Sequence, residues 1–303
     1  MALETDFIAA LKAIATTPAA RGLTDDAAVL GDLVLTHDMI VEGVHFLPTD
    51  SPHDIAWKLV AVNLSDLAAK GAVPLGVLTG AGLTADAAWN AQFVDGLGIA
   101  LAHWDVPLLG GDTVAMPKGA PRAFGLTALG RASGPVPARS GGRVGDTLYV
   151  VGVIGDAGLG LAIAQGKLAG PDKLRAAYTR PHPLLAEGRA FAPHVHAMMD
   201  VSDGLLIDAQ RLGLASGAGV AINLDALPLS DAARLFGEDR AARLRAATAG
   251  DDYALLFSAS GDLPPDLPPA TAIGRLTDGA GLRLYDAGIE IALPAKLGWL
   301  HQG

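Results

Sequence analysis

Aspartate is the residue type in this chain that most clearly suggests chemistry. The aspartates concerned lie at the ends of apolar runs or in short polar turns, and they are Asp26, Asp38, Asp66, Asp112, Asp200, Asp203 and Asp251. A single aspartate in a turn is usually a cap or a turn former. Several of them beside Gly, Ser or Thr fit a cluster better. An oxygen-only cluster suits Mg²⁺, which prefers carboxylates, waters and substrate phosphates.

One of these aspartates falls on a helix predicted for residues 54–70. Asn63, Asp66 and Lys70 are three and four residues apart, which places them on one helical face, where they can point at one ligand. Gly71 is predicted to end the helix in the left-handed conformation. The alternative interpretation is an ordinary amphipathic helix whose polar face is solvated.

The sequence lacks the common glycine-rich phosphate-binding loops. It contains no G-x-x-x-x-G-K-[ST] motif, and the spacing of Gly155, Gly158 and Gly160 does not match G-x-G-x-x-G. A phosphate site would therefore rely on metal ions and a few cations or backbone amides. Arg139 is one candidate, with an ordinary surface arginine as the alternative. Ser202 is predicted to cap a helix whose amide-rich end an anion can share.

Composition excludes several kinds of site and partner. The 303 residues include no Cys, which excludes disulfides, a cysteine nucleophile and a thiolate metal site. The net charge of −10 argues against a broad nucleic-acid surface, and anionic phosphates would need divalent cations between them and the carboxylates. Without a long apolar run or the basic start of a signal peptide, a soluble cytoplasmic protein with no membrane contact is expected.

Alternating strand and helix patterns predict an α/β protein. The main predicted helices cover residues 4–16, 54–70 and 84–103, the last capped by Thr84, and the main predicted strands cover residues 33–38, 74–83, 106–109, 124–131, 147–153, 220–224 and 254–258, with further strands near Ile273 and Leu284. A connector rich in Pro and small residues at 132–137 predicts a domain boundary. The expected domains are residues 1–135 and residues 136–303.

Several motifs occur in the order seen in the thiamine-monophosphate kinase family, which the chain resembles over nearly its whole length. They are Thr24-Asp25-Asp26-Ala27-Ala28-Val29, Thr36-His37-Asp38 with Glu42-Gly43-Val44-His45-Phe46, Trp57-Lys58 with Ala61-Val62-Asn63-Leu64-Ser65-Asp66-Leu67-Ala68-Ala69, Gly110-Gly111-Asp112-Thr113, Asp200-Val201-Ser202-Asp203-Gly204-Leu205 and Gly250-Asp251-Asp252-Tyr253. The second and third are specific for that kinase. Ser-Asp-Gly and Gly-Gly-Asp-Thr are shared across the aminoimidazole-ribonucleotide-synthetase-like superfamily.

The resemblance implies an α/β (α+β) fold with an N-terminal sheet domain that forms a homodimer and binds metal and ATP, and a C-terminal α/β domain. It also implies that ATP and several Mg²⁺ ions bind between the domains. The implied metal residues are Asp26, Thr36, His37, Asp38, Asp66, Asp112, Asp200 and Asp203. The implied ATP residues are Gly111, Arg139 and Ser202, and those for thiamine phosphate are His45, Asp251 and Trp299.

Three residues depart from the pattern of the family. Thr24 replaces Gly, His37 replaces Thr at a metal position, and Asp251 replaces the more common Glu. The His37 contact is expected to come from the backbone carbonyl or to be lost, and Asp251 has a shorter reach to the same charge.

The implied reaction is ATP + thiamine phosphate → ADP + thiamine diphosphate, by Mg²⁺-assisted in-line transfer. The acceptor phosphate has a second pKa of about 6 and is mostly deprotonated near pH 7, so no catalytic base is expected. Two alternatives stay open: another ATP-dependent member of the superfamily, of the cyclo-ligase type, or a non-catalytic nucleotide- or metal-binding homologue. Members that use cysteine chemistry are excluded, because the chain has no Cys.

Overall fold

The structure, a computed structural model, describes residues 3–261 and 263–300. Its N-terminal part forms one β-sheet with helices packed beside it. The elements are α1 (Leu3–Lys12), β1 (Ala28–Leu30), β2 (Leu33–Val41), α2 (Pro52–Ala69), β3 (Val73–Leu83), α3 (Ala87–His103), β4 (Leu108–Ala115) and β5 (Ala123–Arg131). Five strands pair in the order β1-β2-β5-β3-β4, antiparallel except for the parallel pair β3–β4.

The C-terminal part forms a second, larger sheet. Its elements are β6 (Thr147–Val151), α4 (Asp156–Ala164), α5 (Asp172–Thr179), α6 (Leu185–Phe191), β7 (Ala197–Val201), α7 (Leu205–Ala215), β8 (Gly219–Asn223), α8 (Asp231–Arg234), α9 (Arg240–Ala247), β9 (Ala254–Ala259), β10 (Thr271–Thr277), β11 (Leu282–Asp286) and β12 (Ile289–Ile291). The strand order is β12-β11-β8-β10-β6-β9-β7. The prediction of an α/β protein is confirmed, and β8 and β9 lie where their patterns placed them, to within one residue at each end.

Helix α2 is the element that joins the two parts. It packs against β2 and β5 on one side and against α6 and β7 on the other. From Ile55 to Ala69 every residue except Trp57 is buried. The solvated polar face considered for this helix is therefore excluded, since Asn63, Ser65 and Lys70 are all 0% exposed. Gly71 ends the helix with φ 62°, as predicted.

Some predicted helix boundaries are wrong. Helix α1 ends at Lys12 rather than near residue 16. Helix α3 begins at Ala87, and the side chain of Asp86 caps it by accepting a hydrogen bond from the Trp89 amide, so Thr84 is not its cap. Among the described residues, no helix is both long enough and apolar enough to cross a membrane.

The packing of α6 on α2 requires a glycine at position 188. A Cβ there would lie 2.0 Å from the carbonyl oxygen of Ala68, which is backbone and cannot rotate away. The close approach places the end of α2 directly against the C-terminal part.

We therefore expect Gly188→Ala to lower the free energy of unfolding by ~2 kcal/mol or more, because the new methyl must push α6 away from α2. Chemical denaturation monitored by circular dichroism measures this loss. Gly98→Ala is the matched control: Gly98 is also helical, but a Cβ there meets nothing within 4 Å. The control should be neutral or stabilising, since alanine is a better helix former than glycine. Equal losses in the two variants would contradict the packing argument.

Candidate functional site

Three carboxylates meet where the two parts of the chain come together. Asp26 lies in the loop before β1, Asp66 lies in the last turn of α2, and Asp200 lies near the end of β7. Each offers one oxygen atom, and these atoms all lie within 4.8 Å of one another. Asp66 is 8% exposed and Asp200 is 3% exposed. We call these three residues the aspartate cluster. It was predicted from the sequence as part of a larger set.

Two hydroxyl groups of the N-terminal part hold members of the cluster. Thr36 Oγ1 donates a hydrogen bond to Asp66, and Ser65 Oγ donates to Asp200 Oδ2 at 2.7 Å. Each of these bonds occupies one carboxylate oxygen of its acceptor. Asn63 does not point at a shared ligand: its Oδ1 accepts from the Asp38 amide at 2.9 Å, which fixes β2 against α2.

Two cations hold Asp26. Lys70 Nζ lies 2.7 Å from Asp26 Oδ2, and Arg139 forms an ion pair with Oδ1. Burial acts to raise the pKa of Asp26, but Lys70 and Arg139 together outweigh it, so the pKa is lowered. Asp26 is therefore the member of the cluster that stays ionised.

The neighbouring carboxylates have the opposite tendency. Burial, followed by repulsion from Asp38, Asp200 and Asp26, raises the pKa of Asp66 well above its usual value. Burial and the Asp26 charge do the same to Asp200. Burial is also the main reason that the pKa of Asp38 is raised to about 6. Positive charge at this place would relieve the repulsion, and an all-oxygen donor set of this kind suits a hard divalent cation.

The turn between β7 and α7 is organised differently from the prediction. The Asp208 carboxylate accepts hydrogen bonds from the amides of Ser202, Asp203 and Gly204 at 3.0–3.2 Å. The predicted capping role of Ser202 is wrong, because Gly204 occupies the cap position and Asp208 satisfies the amides. Arg211 forms ion pairs with Asp203 at 2.5 Å and with Asp208 at 2.8 Å.

Three of the predicted site residues lie away from the cluster. The His37 side chain is on the opposite face of β2 from Thr36 and Asp38, where its Nδ1 lies 2.8 Å from Thr127 Oγ1. A ligand role for the His37 side chain is thus not supported, which leaves only its backbone carbonyl. Gly111 and Asp112 lie on β4, the edge strand at the opposite end of the sheet from β1, and both are exposed.

Two residues predicted to bind the acceptor are held by a single lysine. Lys58 Nζ lies 2.8 Å from Asp251 Oδ2 and 2.9 Å from the His45 carbonyl oxygen. The second oxygen of Asp251 accepts from the Tyr253 hydroxyl at 3.0 Å. His45 is further fixed by its Nδ1, which accepts from the Val41 amide at 3.1 Å.

Trp299 lies beside the turn after β7. Its backbone amide donates to the Asp203 carbonyl oxygen at 2.8 Å, and the residue is 52% exposed. The Asp251 amide donates to the neighbouring Ser202 carbonyl oxygen at 2.8 Å. The C-terminal segment and the Asp251 loop are therefore tied to the same short turn.

Sequence reasoning missed four residues that organise this region, namely Asp25, Lys58, Asp208 and Arg211. Arg211 follows Asp208 by three residues on α7, so helical spacing could have suggested that pair. Lys58 lies within an apolar helix, and nothing local shows that its partner is 193 residues away.

Comparison with known proteins places the chain among characterised relatives. Residues 24–132 match the family model of the AIR synthase related protein N-terminal domain, and residues 143–287 match that of the C-terminal domain. The thiamine-monophosphate kinase of Caulobacter vibrioides is 38% identical over 94% of this chain and 86% of its own length. That of Escherichia coli is 37% identical over 91% of this chain and 90% of its own length.

A solved structure shows the same similarity. The structure of AaThiL complexed with AMPPCP and TMP matches with a TM-score of 0.85 and 29% identity, and covers 98% of this chain and 96% of that chain. The match spans both sheets and therefore includes the region of the aspartate cluster.

The raised pKa of Asp38 predicts how the stability of the chelator-treated protein depends on pH. The folded protein keeps a proton on Asp38 up to about pH 6, whereas the unfolded chain releases it near pH 4. The folded state thus binds more protons between these values, and the free energy of unfolding should fall as pH rises from about 4 to about 6. A pKa difference of this size corresponds to a loss on the order of 3 kcal/mol.

Urea unfolding at a series of pH values in EDTA measures this slope. Asp38→Asn should make the slope shallower, while Asp95→Asn, on an exposed position of α3, should leave it unchanged. An Asp38→Asn variant with the slope of the unmodified protein would show that burial of Asp38 does not shift its proton affinity.

Proposed function

The chain belongs to the thiamine-monophosphate kinase family of AIR synthase related proteins, and we propose that it transfers the γ-phosphoryl group of ATP to thiamine phosphate. The products are ADP and thiamine diphosphate. The observation that carries this proposal is a buried aspartate cluster, built from both parts of the chain, in a protein similar over nearly its full length to named kinases of this reaction. The relatives do not favour the cyclo-ligase or the non-catalytic alternative.

The reaction needs little acid–base chemistry from the protein. The acceptor phosphate is mostly ionised near pH 7 and can attack without a general base. The aspartates of the cluster therefore need not act as general bases. The task of the protein is to bring two polyanions together in line and to offset their repulsion.

Mg²⁺ is the ion that we propose for the cluster. The fit rests on the all-oxygen donor set and on the raised pKa values of Asp66 and Asp200, which follow from burial and from repulsion between the carboxylates and which a bound cation would lower. Asp26, Asp66 and Asp200 would hold it, assisted by Thr36, Asp38 and Asp203 and by the His37 carbonyl group. When bound, Mg²⁺ would neutralise and orient the phosphates.

Arg139 is the proposed cation for the ATP phosphates. Its side chain is about one-fifth exposed, and its Nε is buried without a hydrogen-bond partner among the described residues. A guanidinium group has five N–H donors, and Asp26 takes only one of those of Arg139, so the group is suited to binding a phosphate as well. Ser202 lies in the turn directly after β7, close in sequence to Asp200, which supports its assignment to the same ligand.

His45, Asp251 and Trp299 are the proposed contacts of thiamine phosphate. Lys58 brings His45 and Asp251 together. Trp299 and Asp251 are both hydrogen-bonded to the turn formed by Ser202 and Asp203. The three residues therefore border the same region, next to the proposed ATP and metal residues.

We also propose a homodimer through the sheet of the N-terminal part. The edge strand β4 leaves one side of its backbone unpaired, and Leu109 and Val114 on it are 55% and 57% exposed. Gly111 and Asp112, on the same strand, lie away from the aspartate cluster of their own chain. In a dimer formed through this edge, Gly111 and Asp112 could contribute to the site of the second copy.

The division into residues 1–135 and residues 136–303 is retained as a proposal, with one sheet in each domain. The cytoplasm is the proposed location, because the reaction consumes ATP.

Acceptor choice is the sharpest test of the proposed reaction. With ATP and MgCl₂, thiamine phosphate should be converted to thiamine diphosphate, and free thiamine should not react at a comparable rate. The hydroxyl of thiamine has no charge for a metal ion to bind, and unlike the ionised acceptor phosphate it would need a base. Chromatography of the thiamine species at fixed times measures both conversions.

Three controls accompany this assay. EDTA should abolish turnover, and the rate should change little above about pH 7, where the acceptor is already ionised. Asp251→Ala should raise KM for thiamine phosphate far more than KM for ATP. Equal phosphorylation of free thiamine, or a loss confined to ATP binding in Asp251→Ala, would refute the acceptor assignment.

The homodimer leads to a second prediction. Val114→Arg should convert the protein to a monomer, because it buries a charge in an apolar interface. Multi-angle light scattering at micromolar concentration measures the mass. Leu214→Arg is the matched control, since Leu214 is 78% exposed on α7 and lies outside the proposed interface. An unmodified protein that is monomeric at this concentration would contradict the proposal.

A further inference from the structure

Lys70, immediately after α2, is a completely buried lysine. Its side chain is 0% exposed. An ammonium group is removed from water at a large cost unless its protons find good acceptors. Here the acceptors are Asp25 Oδ1 at 2.5 Å, Asp26 Oδ2 at 2.7 Å and the Met198 carbonyl oxygen at 3.0 Å.

These three acceptors come from separate parts of the chain. Asp25 and Asp26 lie in the loop before β1, while Met198 lies on β7, two residues before Asp200. Lys70 itself follows Asp66 by one helical turn. The ammonium group therefore lies beside the aspartate cluster. It binds both the loop that carries Asp26 and the strand β7 that carries Asp200.

The surroundings of Lys70 Nζ have the chemistry of a cation site. Two carboxylate oxygens and one carbonyl oxygen are donors that a hard metal ion also takes. Lys70 supplies the positive charge from within the chain. Unlike a bound metal ion, this charge cannot dissociate into solvent, because it is covalently attached and no part of the side chain is exposed.

We propose that the Lys70 ammonium is a built-in cation of the aspartate cluster, which fills the oxygen-lined position beside Asp26 and closes that position to divalent ions. Lys70 is thus a positioning residue: it holds Asp26 at a fixed place relative to Asp200. Divalent ions are directed to the other side of Asp26, where it faces Asp66 and Asp200. This inference concerns cations alone and does not depend on which acceptor is phosphorylated.

Lys58 is a natural control on the same helix. Its side chain is 2% exposed, and it also forms an ion pair with one aspartate. That partner, Asp251, lies outside the aspartate cluster. The two lysines are therefore alike in burial and in binding carboxylate and carbonyl oxygens, although Lys70 has two aspartate partners and Lys58 has one. They differ in whether the aspartate cluster is next to them.

The test uses Lys70→Ala and Lys70→Met in the full chain without nucleotide. Alanine leaves an oxygen-lined space where Nζ was, whereas methionine fills that space without charge. Thermal unfolding is measured in EDTA, in MnCl₂ and in NaCl of matched ionic strength. Electron paramagnetic resonance counts the Mn²⁺ bound per chain.

In EDTA we expect Lys70→Ala to lower Tm by roughly 5 °C or more, since Asp25 keeps only Arg21 and Asp26 keeps only Arg139 as a counter-charge. MnCl₂ should restore at least half of that loss beyond its effect on the unmodified protein, and NaCl should not. Lys70→Ala should bind one additional Mn²⁺ per chain. Lys70→Met should show the loss without the additional ion, and Lys58→Ala should show a loss that Mn²⁺ does not reverse.

The proposal is overturned if the loss in Lys70→Ala is the same with and without Mn²⁺, if no additional ion binds, or if no loss occurs. If Lys70→Ala does not fold, the double variant Asp25→Asn/Lys70→Ala decides the question, because it removes one of the two carboxylate charges that Lys70 had balanced. The double variant should fold in EDTA and bind no additional Mn²⁺. A double variant that also fails to fold would show that Lys70 acts through packing and not through charge.

Discussion

Carboxylates packed close together in a largely water-free region are the constraint on which this structure depends. Repulsion within such a group raises the free energy of the folded state unless positive charge is supplied. Lys70 and Arg139 supply it to Asp26, and Arg211 supplies it to the turn after β7. Asp66 and Asp200 have no such ion pair among the described residues, and burial, followed by repulsion from neighbouring carboxylates, raises their pKa values. The protein thus carries an affinity for cations at the place where polyanionic substrates must meet.

Helix α2 fixes the positions of these carboxylates relative to one another. Contacts from its buried faces reach the C-terminal part at several places: Ser65 bonds to Asp200, Lys70 bonds to Met198, and Lys58 bonds to Asp251. Gly188 allows α6 to approach the end of α2 closely enough for these bonds to form. Because the contacts start from one rigid helix, the relative position of the two sheets and the spacing of the carboxylates are set together.

Much of this arrangement is predictable from local patterns. The α/β class, the end of α2 at Gly71 and the grouping of Asp26, Asp66 and Asp200 follow from residue types and their positions beside apolar runs. The buried faces of α2 do not follow, because a polar residue on a helix is ordinarily solvated and its long-range partner leaves no local signal. Two such long-range or non-local arrangements are the ion pair of Lys70 with Asp25 and the binding of the Asp208 carboxylate by three backbone amides.

The face of a strand residue is a different case. Side chains alternate along β2, so Thr36 and Asp38 cannot share a face with His37. The sequence motif groups all three as metal residues, because it gives their order along the chain and not the directions of their side chains. Strand periodicity would have separated the His37 side chain from the cluster.

Backbone strain marks the loop that holds Asp251. Asp251 has φ 69° and Tyr253 has φ 51°, a conformation that costs residues other than glycine on the order of 1–3 kcal/mol and that persists only where the surroundings enforce it. Asp252, between them, is held by the amides of Gly155 and Ala157. The strain places Asp251 between Lys58 and the Tyr253 hydroxyl.

This pairing changes how Asp251 can serve an acceptor. The two oxygens of the Asp251 carboxylate already bind an ammonium group and a hydroxyl. The carboxylate is therefore not a free anion that could pair with the positively charged ring of thiamine phosphate. The charge of Asp251 is largely balanced within the protein, so an acceptor contact there must share the carboxylate with Lys58. Recognition at this end of the site then depends more on shape and hydrogen-bond direction than on net charge, while the strong charge complementarity is concentrated at the aspartate cluster.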